Sequence, residues 1–534
     1  MLLERRIEID MKRLFYILLF VGSFLFYWET GNKIENRTEA EDVFEYALMV
    51  EQGSEHLWFY HEHHLLYAPL MRSVFTAAGT LGYEGRAISV MRLFSALSAA
   101  GTLFFFFLFC YKRYSLRPVS SLISTLFMGV SYGFWRYSAE SEIPLIASFF
   151  ITAALYYSTD EVLGKRSFIL SVIFSIAAVM MHIMNAIAVF IAIPAFYLVQ
   201  RRPKLMSLHI GLSFLFISGI YFVTDQLVHI HLSGRTQFSM IGLGSLVKAA
   251  VGFFQCLISN EFLLGFRSIR AFLGELFAGR MLQEEFYLGV RLSRYHVLFS
   301  TCTFFLFFGV FAVCIGRAVW IWKNIISERK RYRLPFGIRA LIPPALFFSG
   351  YGFLLLFIEP GNPELWVMGM MPFCLLLCGV VLLPLTVDNR LWLPFLMTVL
   401  LFVHNSGALQ QLYDADKDYQ QNKAESVLKI ARASDLVVTA GNPVFERYLR
   451  YHFKGDVLYL HEWSEDRLLA FELPETEGEV FILGDVFNQP SSLRIRFPRK
   501  TAAIEQFSNV IKEHVRLVED DPFGGVYILE RQGN

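Results

Sequence analysis

Long apolar runs, separated by short polar connections, dominate this chain. In lipid only a helix or a closed barrel satisfies every backbone hydrogen bond, and about 20 apolar residues cross the bilayer as a helix. About eleven runs come close to that length, and they lie at 12–28, 88–111, 118–135, 143–158, 167–182, 183–199, 205–228, 296–322, 340–358, 365–385 and 391–407. The sequence therefore predicts a polytopic α-helical membrane protein, in which 167–199 is a helical hairpin that turns near His182.

The composition supports this class and excludes others. Charged residues make up 18% of the chain, whereas soluble domains carry about 25%. A net charge of +1 gives no reason to expect nucleic-acid binding. The six cysteines lie mostly inside apolar runs, where they act as small buried hydrophobes, so we expect neither a disulfide framework nor a zinc site.

Basic residues orient the predicted spans. They are Arg5, Arg6, Lys12, Arg13, Lys112, Arg113, Arg117, Lys165, Arg166, Arg201, Arg202, Lys204, Lys323, Arg329, Lys330, Arg331, Arg333 and Arg339. All of them fall on one side of the membrane if the N-terminus is cytoplasmic. The first run ends at Phe26–Glu29 without a small-x-small cleavage site, which favours an uncleaved anchor over a signal peptide.

Three larger parts are then predicted on the outer side. The first is the loop 29–87, and the second is 229–295, which has the pattern of amphipathic helices on the membrane surface. The third is the tail, in which strand-like runs alternate with helical stretches after a polar linker at Asp414–Asn422. The strand-like runs are Leu436–Thr439, Val457–Leu460, Val480–Leu483 and Val526–Leu529. We expect a membrane domain at 1–407 and a small extracytoplasmic α/β domain at 408–534.

The outer loop begins with clustered acids. Glu41, Asp42 and Glu45 lie within five residues, and in a helix Asp42 and Glu45 share one face. Clustered carboxylates repel each other, which suits one of them to act as a general base. The alternative is a solvated acidic loop.

A run of histidines follows in the same loop. His61, His63 and His64 lie just before Tyr67, in a pattern that fits a metal site, a substrate site or a plain loop. Adjacent histidines on a helix diverge, unlike the i,i+4 pair of a zinc protease.

Further polar residues occur in the other outer connections. Arg136, Glu140 and Glu142 stand where a span should begin, and charges there are costly unless they face a cavity or a partner; Arg136 and Glu140 could simply pair with each other. His182 has either a structural or a functional role. Glu359, Asn362 and Glu364 belong to a Pro/Gly turn at membrane depth. Because these connections share one side, they favour an outward-facing cavity, to which arginines of the segment 229–295 add positive charge.

These residues resemble the GT-C glycosyltransferases, and most closely the membrane family of formerly unknown function that is related to protein O-mannosyltransferases. The likeness covers roughly 12–200. Asp42-Val43-Phe44-Glu45-Tyr46 is similar to the family's Gly-Asp-Ser-Gly-Glu-Phe but lacks both glycines, and His61–Tyr67 is similar to its His/Pro-rich segment. Phe134-Trp135 followed by Glu140-Ser141-Glu142-Ile143-Pro144 matches the spacing of its Phe-Trp and Glu-Ala-Glu-Val-Tyr elements, and His182 corresponds to an early hairpin histidine.

The resemblance implies a fold, a reaction and partners. The enzyme would transfer a sugar from a polyprenyl-phosphate donor to an acceptor hydroxyl at the outer face of a bacterial inner membrane. Asp42 would be the general base, with Glu45 and then Glu41 as the other candidates. Some GT-C enzymes use a divalent metal, and the sequence leaves open both that requirement and whether the acceptor is a protein, a lipid or a glycan.

Two other functions fit the same features. A transporter or flippase of lipid-linked glycans would use an outward cavity, but it needs access from both sides, and the sequence has no inverted repeat. A non-catalytic membrane scaffold would instead bind its partners through the tail.

Overall fold

Helices make up most of the described chain. The computed structural model describes residues 2–37, 42–160, 162–228, 230, 242–266, 292–327, 338–441, 443–470, 477–489, 493–494, 497–520 and 525–530. The α-helices up to residue 410 are α1 Leu2–Lys33, α2 Val43–Gln52, α3 Tyr67–Thr80, α4 Ala87–Leu108, α5 Pro118–Gly129, α6 Tyr132–Ser138, α7 Ile143–Ser158, α8 Lys165–Met181, α9 Ile193–Val199, α10 Pro203–Val228, α11 Leu243–Leu257, α12 Arg294–Ser327, α13 Ile342–Phe357, α14 Pro363–Leu377, α15 Leu383–Val387 and α16 Trp392–Gln410.

The tail contains short helices and five strands. They are α17 Tyr419–Ile430, β1 Leu436–Thr439, α18 Pro443–His452, β2 Asp456–Tyr459, α19 Glu465–Leu469, β3 Val480–Leu483, α20 Gly484–Phe487, α21 Pro498–Ile511, β4 Val515–Glu519 and β5 Val526–Leu529. Asp418 begins α17 by accepting hydrogen bonds from the backbone N–H groups of Gln420 and Gln421. The predicted linker Asp414–Asn422 is therefore partly helical.

Seven helical spans within the described residues are long and apolar enough to cross a bilayer, or eight if α6 and α7 form one bent span. They are Arg13–Lys33, Ala87–Arg113, Pro203–Val228, Arg294–Ile325, Arg339–Phe357, Pro363–Thr386 and Trp392–Tyr413. The protein is thus a multi-span membrane protein. The other predicted spans correspond to shorter helices, among them Pro118–Gly129 and Ile183–Val199, so a count of eleven stays a prediction.

Contacts among the described residues divide the chain into two units. The membrane unit falls within 1–33, 49–262 and 295–409, and the tail unit falls within 34–48, 263–294 and 410–534. Asp42 and Glu45 therefore belong to the tail unit, together with the strands.

Small residues let the helices of the membrane unit approach one another. Gly101 of α4 packs so closely on α7 that a Cβ at this position would lie 2.6 Å from the Phe149 ring. Gly133 of α6 approaches α11 in the same way, where a Cβ would collide with Cys256 Sγ. Such contacts are typical of helices in lipid, where close van der Waals packing drives association.

The tail unit has a mixed sheet with strand order β2-β1-β3-β5-β4. β1 pairs in parallel with both β2 and β3, and β5 pairs antiparallel with β3 and β4. Apolar residues of α19 and α21 complete the core on one face of the sheet; those from α21 are Ala503, Ile504, Phe507 and Ile511. The predicted small α/β fold is confirmed for the tail. β4 was not predicted, because this edge strand, in which Leu517 and Val518 are exposed, lacks the sequence pattern of a buried strand.

Candidate functional site

A sharp elbow between α6 and α7 carries two of the predicted site residues, Glu140 and Glu142. The two helices bend by 111°, and Ile143-Pro144 favours a fresh helix start because proline is preferred in the first turn. Glu140, Ser141 and Glu142 occupy the break, and all three are fully buried. The elbow therefore places two carboxylates inside the membrane unit.

Arg136 compensates one of these carboxylates. Its Nη1 lies 2.6 Å from Glu140 Oε1, and neither side chain is exposed. The i,i+4 pairing that the spacing allowed is thus what the structure contains. A single buried charge is far more costly than a buried pair, so each residue needs the other. Arg136 and Glu140 support the elbow, which presents Ser141 and Glu142.

The histidine run forms a ladder of rings. His61 stacks on Trp58 at 5.3 Å and on His64 at 5.2 Å between ring centroids. The His64 ring then approaches His182 at 4.9 Å. His63 adds its ring at 5.1 Å from His61. The structure therefore brings His182 together with the three loop histidines.

Backbone hydrogen bonds hold this loop against the end of α8. The Ile183 N–H donates to the His63 carbonyl at 3.0 Å, and the Leu66 N–H donates to the Met180 carbonyl at 3.0 Å. Burial lowers the pKa of His64 well below its usual value, and the positive charges of His182, His61 and His63 lower it further. A neutral His64 at pH 7 offers one donor and one acceptor.

Tyr67 joins the ladder to the elbow. Its hydroxyl donates to the Ser141 carbonyl at 2.8 Å, and its backbone N–H donates to the His64 carbonyl at 2.9 Å. Burial raises the pKa of Tyr67 well above its usual value, and the charges of Glu142 and Glu364 raise it further. Both carboxylates therefore lie within electrostatic reach of a single buried phenol.

The turn before α14 supplies Glu364. Asn362 caps the helix by accepting the Glu364 N–H at 3.0 Å, and its amide donates to Glu359 Oε2 at 3.1 Å. Glu359, Asn362 and Glu364 are half-buried. The turn is clamped by α11, because a Cβ on Gly252 would lie 3.0 Å from the Pro360 oxygen. Three separate connections thus meet around Tyr67.

Metal binding finds no support in this cluster. Within the described ranges, no three His, Cys, Asp or Glu side chains converge on a point that fits a metal ion. The stacked imidazoles present ring faces to one another rather than nitrogen atoms to a shared centre.

The acids of the first loop lie in the tail unit. Asp42 Oδ1 pairs with Arg447 Nη1 of α18, and Asp42 Oδ2 accepts the Tyr46 hydroxyl at 3.3 Å. About a third of the Asp42 side chain (35%) is exposed. Glu45 lies one turn later in α2 and adds negative charge near Glu446. Glu41 falls outside the described residues.

Aromatic contacts fix this segment on α18. The Phe44 ring lies 4.8 Å from Tyr448 and 5.6 Å from Tyr451, and it is almost fully buried. Arg447 is presented by the same helix. The acidic loop is thus packed onto a helix, in contrast to the alternative of a solvated loop.

Two polar groups of the membrane unit were not predicted. Tyr132 donates to the buried Glu261 carboxylate at 2.7 Å. His404 lies between the Ser259 carbonyl at 2.7 Å and the Thr303 hydroxyl at 2.8 Å. Glu261 is a single acid in an apolar stretch, and this isolated position was the sequence feature that could have identified it. Of the arginines between 267 and 294, Arg267, Arg270, Arg280 and Arg291 lie outside the described residues, whereas Arg294 is exposed at the start of α12.

Comparisons with solved structures give a likeness to a membrane protein. No protein-family model and no curated protein matches the chain. The crystal structure of ArnT from Cupriavidus metallidurans, bound to undecaprenyl phosphate, is similar over 96% of this chain and 98% of that chain, with a TM-score of 0.46 and 10% identity.

Proposed function

We propose that this protein is a membrane glycosyltransferase of the GT-C type. It moves a sugar from a polyprenyl-phosphate donor to an acceptor hydroxyl at the extracytoplasmic face. The observation that carries the proposal is the meeting of three polar connections at Tyr67, inside a unit built from membrane-spanning helices. Ionisable groups at such positions are expensive and are functional by default.

The groups around Tyr67 suit a sugar. Glu364 is half-buried and Glu142 is fully buried, and the carboxylates of both offer acceptors for sugar hydroxyls. The ring nitrogen atoms of the partly exposed His61, His63 and His64 can act as hydrogen-bond donors or as acceptors. Such a mixture of hydrogen-bond donors and acceptors suits sugar hydroxyl groups, because each hydroxyl both donates and accepts.

Asp42 is the proposed general base, with Glu45 and then Glu41 as the other candidates. The base removes the proton of the acceptor hydroxyl, and the resulting oxygen attacks the anomeric carbon. The bond from that carbon to the phosphate oxygen breaks, and the lipid phosphate leaves with the electron pair. Tyr46 and Arg447 hold the Asp42 carboxylate in one orientation, which supports its assignment.

The leaving phosphate needs compensating positive charge. The cluster around Tyr67 is rich in carboxylates, and Arg136 is already paired with Glu140. We therefore propose that arginines between 267 and 294, which the sequence places on the outer side, supply this charge. A divalent metal is the other candidate for this role.

The proposed orientation puts the N-terminus in the cytoplasm and the tail outside a bacterial inner membrane, as the basic connections require. A C-terminal alkaline phosphatase fusion should be active in cells. An inactive fusion, with an active one after residue 330 as the control, would overturn the orientation.

Donor binding tests the proposal in purified protein. A radiolabelled polyprenyl-phosphate sugar should bind the wild-type protein in nanodiscs, and Glu364→Gln should weaken binding about tenfold because an acceptor of a sugar hydroxyl loses its charge. Glu55→Gln, at an exposed position of the same unit, is the matched control. Equal binding by Glu364→Gln and wild type would remove the Tyr67 cluster from the donor site.

A further inference from the structure

A second polar cluster lies at the carboxyl edge of the three parallel strands in the tail unit. The chain leaves β1 for β2 on one side and then passes to β3 on the other side. Since such crossovers are right-handed, the connecting helices cover opposite faces of the sheet. Open α/β sheets bind ligands at the carboxyl edge where the strand order reverses, which here lies between β1 and β3.

Asp485 organises this edge. Its carboxylate pairs with the buried Lys423 ammonium and accepts hydrogen bonds from the Thr439 hydroxyl at 2.8 Å and the Ala440 N–H at 3.0 Å. Gly441 follows β1 so closely that a Cβ there would collide with Asp485 Oδ2. Asp485 is therefore fully occupied, and it fixes the ends of β1 and β3 relative to each other.

His461 and Gln489 lie beside this framework and are not occupied in the same way. Gln489 is 5% exposed, yet neither its amide oxygen nor its amide nitrogen makes a full hydrogen bond within the described part of the chain. His461 lies within reach of the Gln489 amide and the Ala440 backbone, but neither contact has full hydrogen-bond geometry. Buried polar atoms are nearly always satisfied, so four such atoms in one place indicate a missing partner.

The charge state of His461 narrows the chemistry of that partner. Burial lowers the pKa of His461 to about 4, and the positive charge of Lys500 lowers it further. The ring is therefore neutral at pH 7, with one donor and one acceptor. The amide of Gln489 likewise offers both. The oxygen atoms of a phosphate or a carboxylate would face the acceptor atoms of His461 and Gln489 and repel them. A hydroxyl group can both donate to an acceptor and accept from a donor.

Two aromatic rings complete the cluster. Tyr459 lies 5.4 Å from the His461 ring and Phe497 lies 5.9 Å from it. His461 and Lys500 are only partly buried, which gives access from solvent. Apolar rings beside mixed donors and acceptors match the two sides of a sugar ring.

We infer that the carboxyl edge of the parallel strands is a binding site for a neutral saccharide. His461 and Gln489 bind its hydroxyl groups, and Lys500 lies at the rim. This site goes beyond the proposed transfer reaction, because it uses only residues of the tail unit between 439 and 500.

Glycan binding by the full-length protein tests the inference. Fluorescent nanodiscs carrying the wild-type chain are applied to an array of neutral, carboxylated and phosphorylated oligosaccharides. We expect retention on neutral glycans, and about tenfold weaker retention for His461→Phe and for Gln489→Met, because each loses hydrogen bonds to the sugar. His514→Phe and Gln506→Met, at positions of the same unit outside this cluster, are the matched controls and should bind like wild type.

Three results would overturn the inference. They are no retention of any glycan by folded wild-type protein, equal retention by the variants and the wild type, and retention of phosphorylated or carboxylated glycans alone. If the two core variants unfold, Lys500→Met at the partly exposed rim takes their place, and wild-type retention by this variant would also contradict the site. Turnover of a lipid-linked donor is measured separately, so failure of this site leaves the proposed transfer reaction untouched.

Discussion

The Tyr67 hydroxyl donates a hydrogen bond of 2.8 Å to the Ser141 carbonyl, and so ties the outer loop to the α6–α7 elbow. This bond joins two segments that are 74 residues apart in the sequence. Both ends are buried, so neither group has water as an alternative partner. The geometry of the proposed sugar site therefore depends on Tyr67.

Tyr67→Phe should destabilise the membrane unit by about 1–2 kcal/mol, because the Ser141 carbonyl is left buried without its donor. Denaturation in mixed micelles measures the change. Tyr83→Phe is the control, since its hydroxyl bonds the Arg86 carbonyl at an exposed position and its loss should cost less than about 0.5 kcal/mol. Equal effects of the two variants would show that the Tyr67 bond has no special role.

The buried ion pair predicts strong coupling between Arg136 and Glu140. Either Arg136→Met or Glu140→Met should destabilise the unit by about 3–5 kcal/mol, because one charge stays buried without compensation, whereas the double variant should recover most of this loss. The same denaturation assay completes the double-mutant cycle. If the two single losses simply add in the double variant, the pair is not the reason for either loss.

Alanine substitutions at two glycines of α11 should change the stability of the unit in opposite directions. Gly252→Ala forces a methyl group against the Glu359–Glu364 turn and should destabilise the unit by about 1–3 kcal/mol. Gly244→Ala has open space and should stabilise α11 by up to about 1 kcal/mol through helix propensity. Thermal unfolding of the two variants side by side measures both signs. A neutral Gly252→Ala would mean that α11 does not clamp the turn.

Glu446 should make the stability of the tail unit depend on pH. Burial raises its pKa from 4.5 to about 7, although its ion pair with Arg450 opposes the rise. The folded state therefore keeps a proton that the unfolded state has released, so stability falls as pH rises from about 4.5 to about 7, by about 3 kcal/mol at most. Thermal unfolding between about pH 5 and about pH 8 follows the change.

Glu446→Gln should remove this slope and stabilise the unit at neutral pH. His461 acts in the opposite direction, since its lowered pKa costs stability as pH falls from 6.5 to about 4. The difference between wild type and Glu446→Gln cancels that contribution. An unchanged slope in Glu446→Gln would contradict the raised pKa.

Much of the helical layout follows from the sequence, because lipid leaves an apolar segment little choice but a helix. The tail strands β1, β2, β3 and β5 follow likewise from short apolar runs between polar turns. The sequence does not predict which side chains far apart in the chain contact each other. The sequence of the His61–Tyr67 segment does not indicate that Tyr67 bonds Ser141. The sequence of Asp42–Tyr46 likewise does not indicate that Asp42 pairs with Arg447 of α18.

The same limit applies to the candidate site. Arg136 and Glu140 are spaced to pair, so their ion pair was foreseeable from the i,i+4 rule. Glu261 and His404 depend on partners far along the chain, and only the isolated position of Glu261 in an apolar stretch gave a signal. Local periodicity predicts elements, whereas contacts between them depend on packing in three dimensions.

Sugar transfer from a lipid-linked donor tests the central claim most directly. A panel of radiolabelled polyprenyl-phosphate sugars is offered to the wild type, to Asp42→Asn and to the exposed control Asp416→Asn in nanodiscs, with crude membranes as acceptor. We expect one donor to be consumed by the wild type and the control, and at least about a hundredfold less by Asp42→Asn, as for loss of a general base. Near-normal transfer by folded Asp42→Asn, or no turnover of any donor by the wild type, would contradict the account.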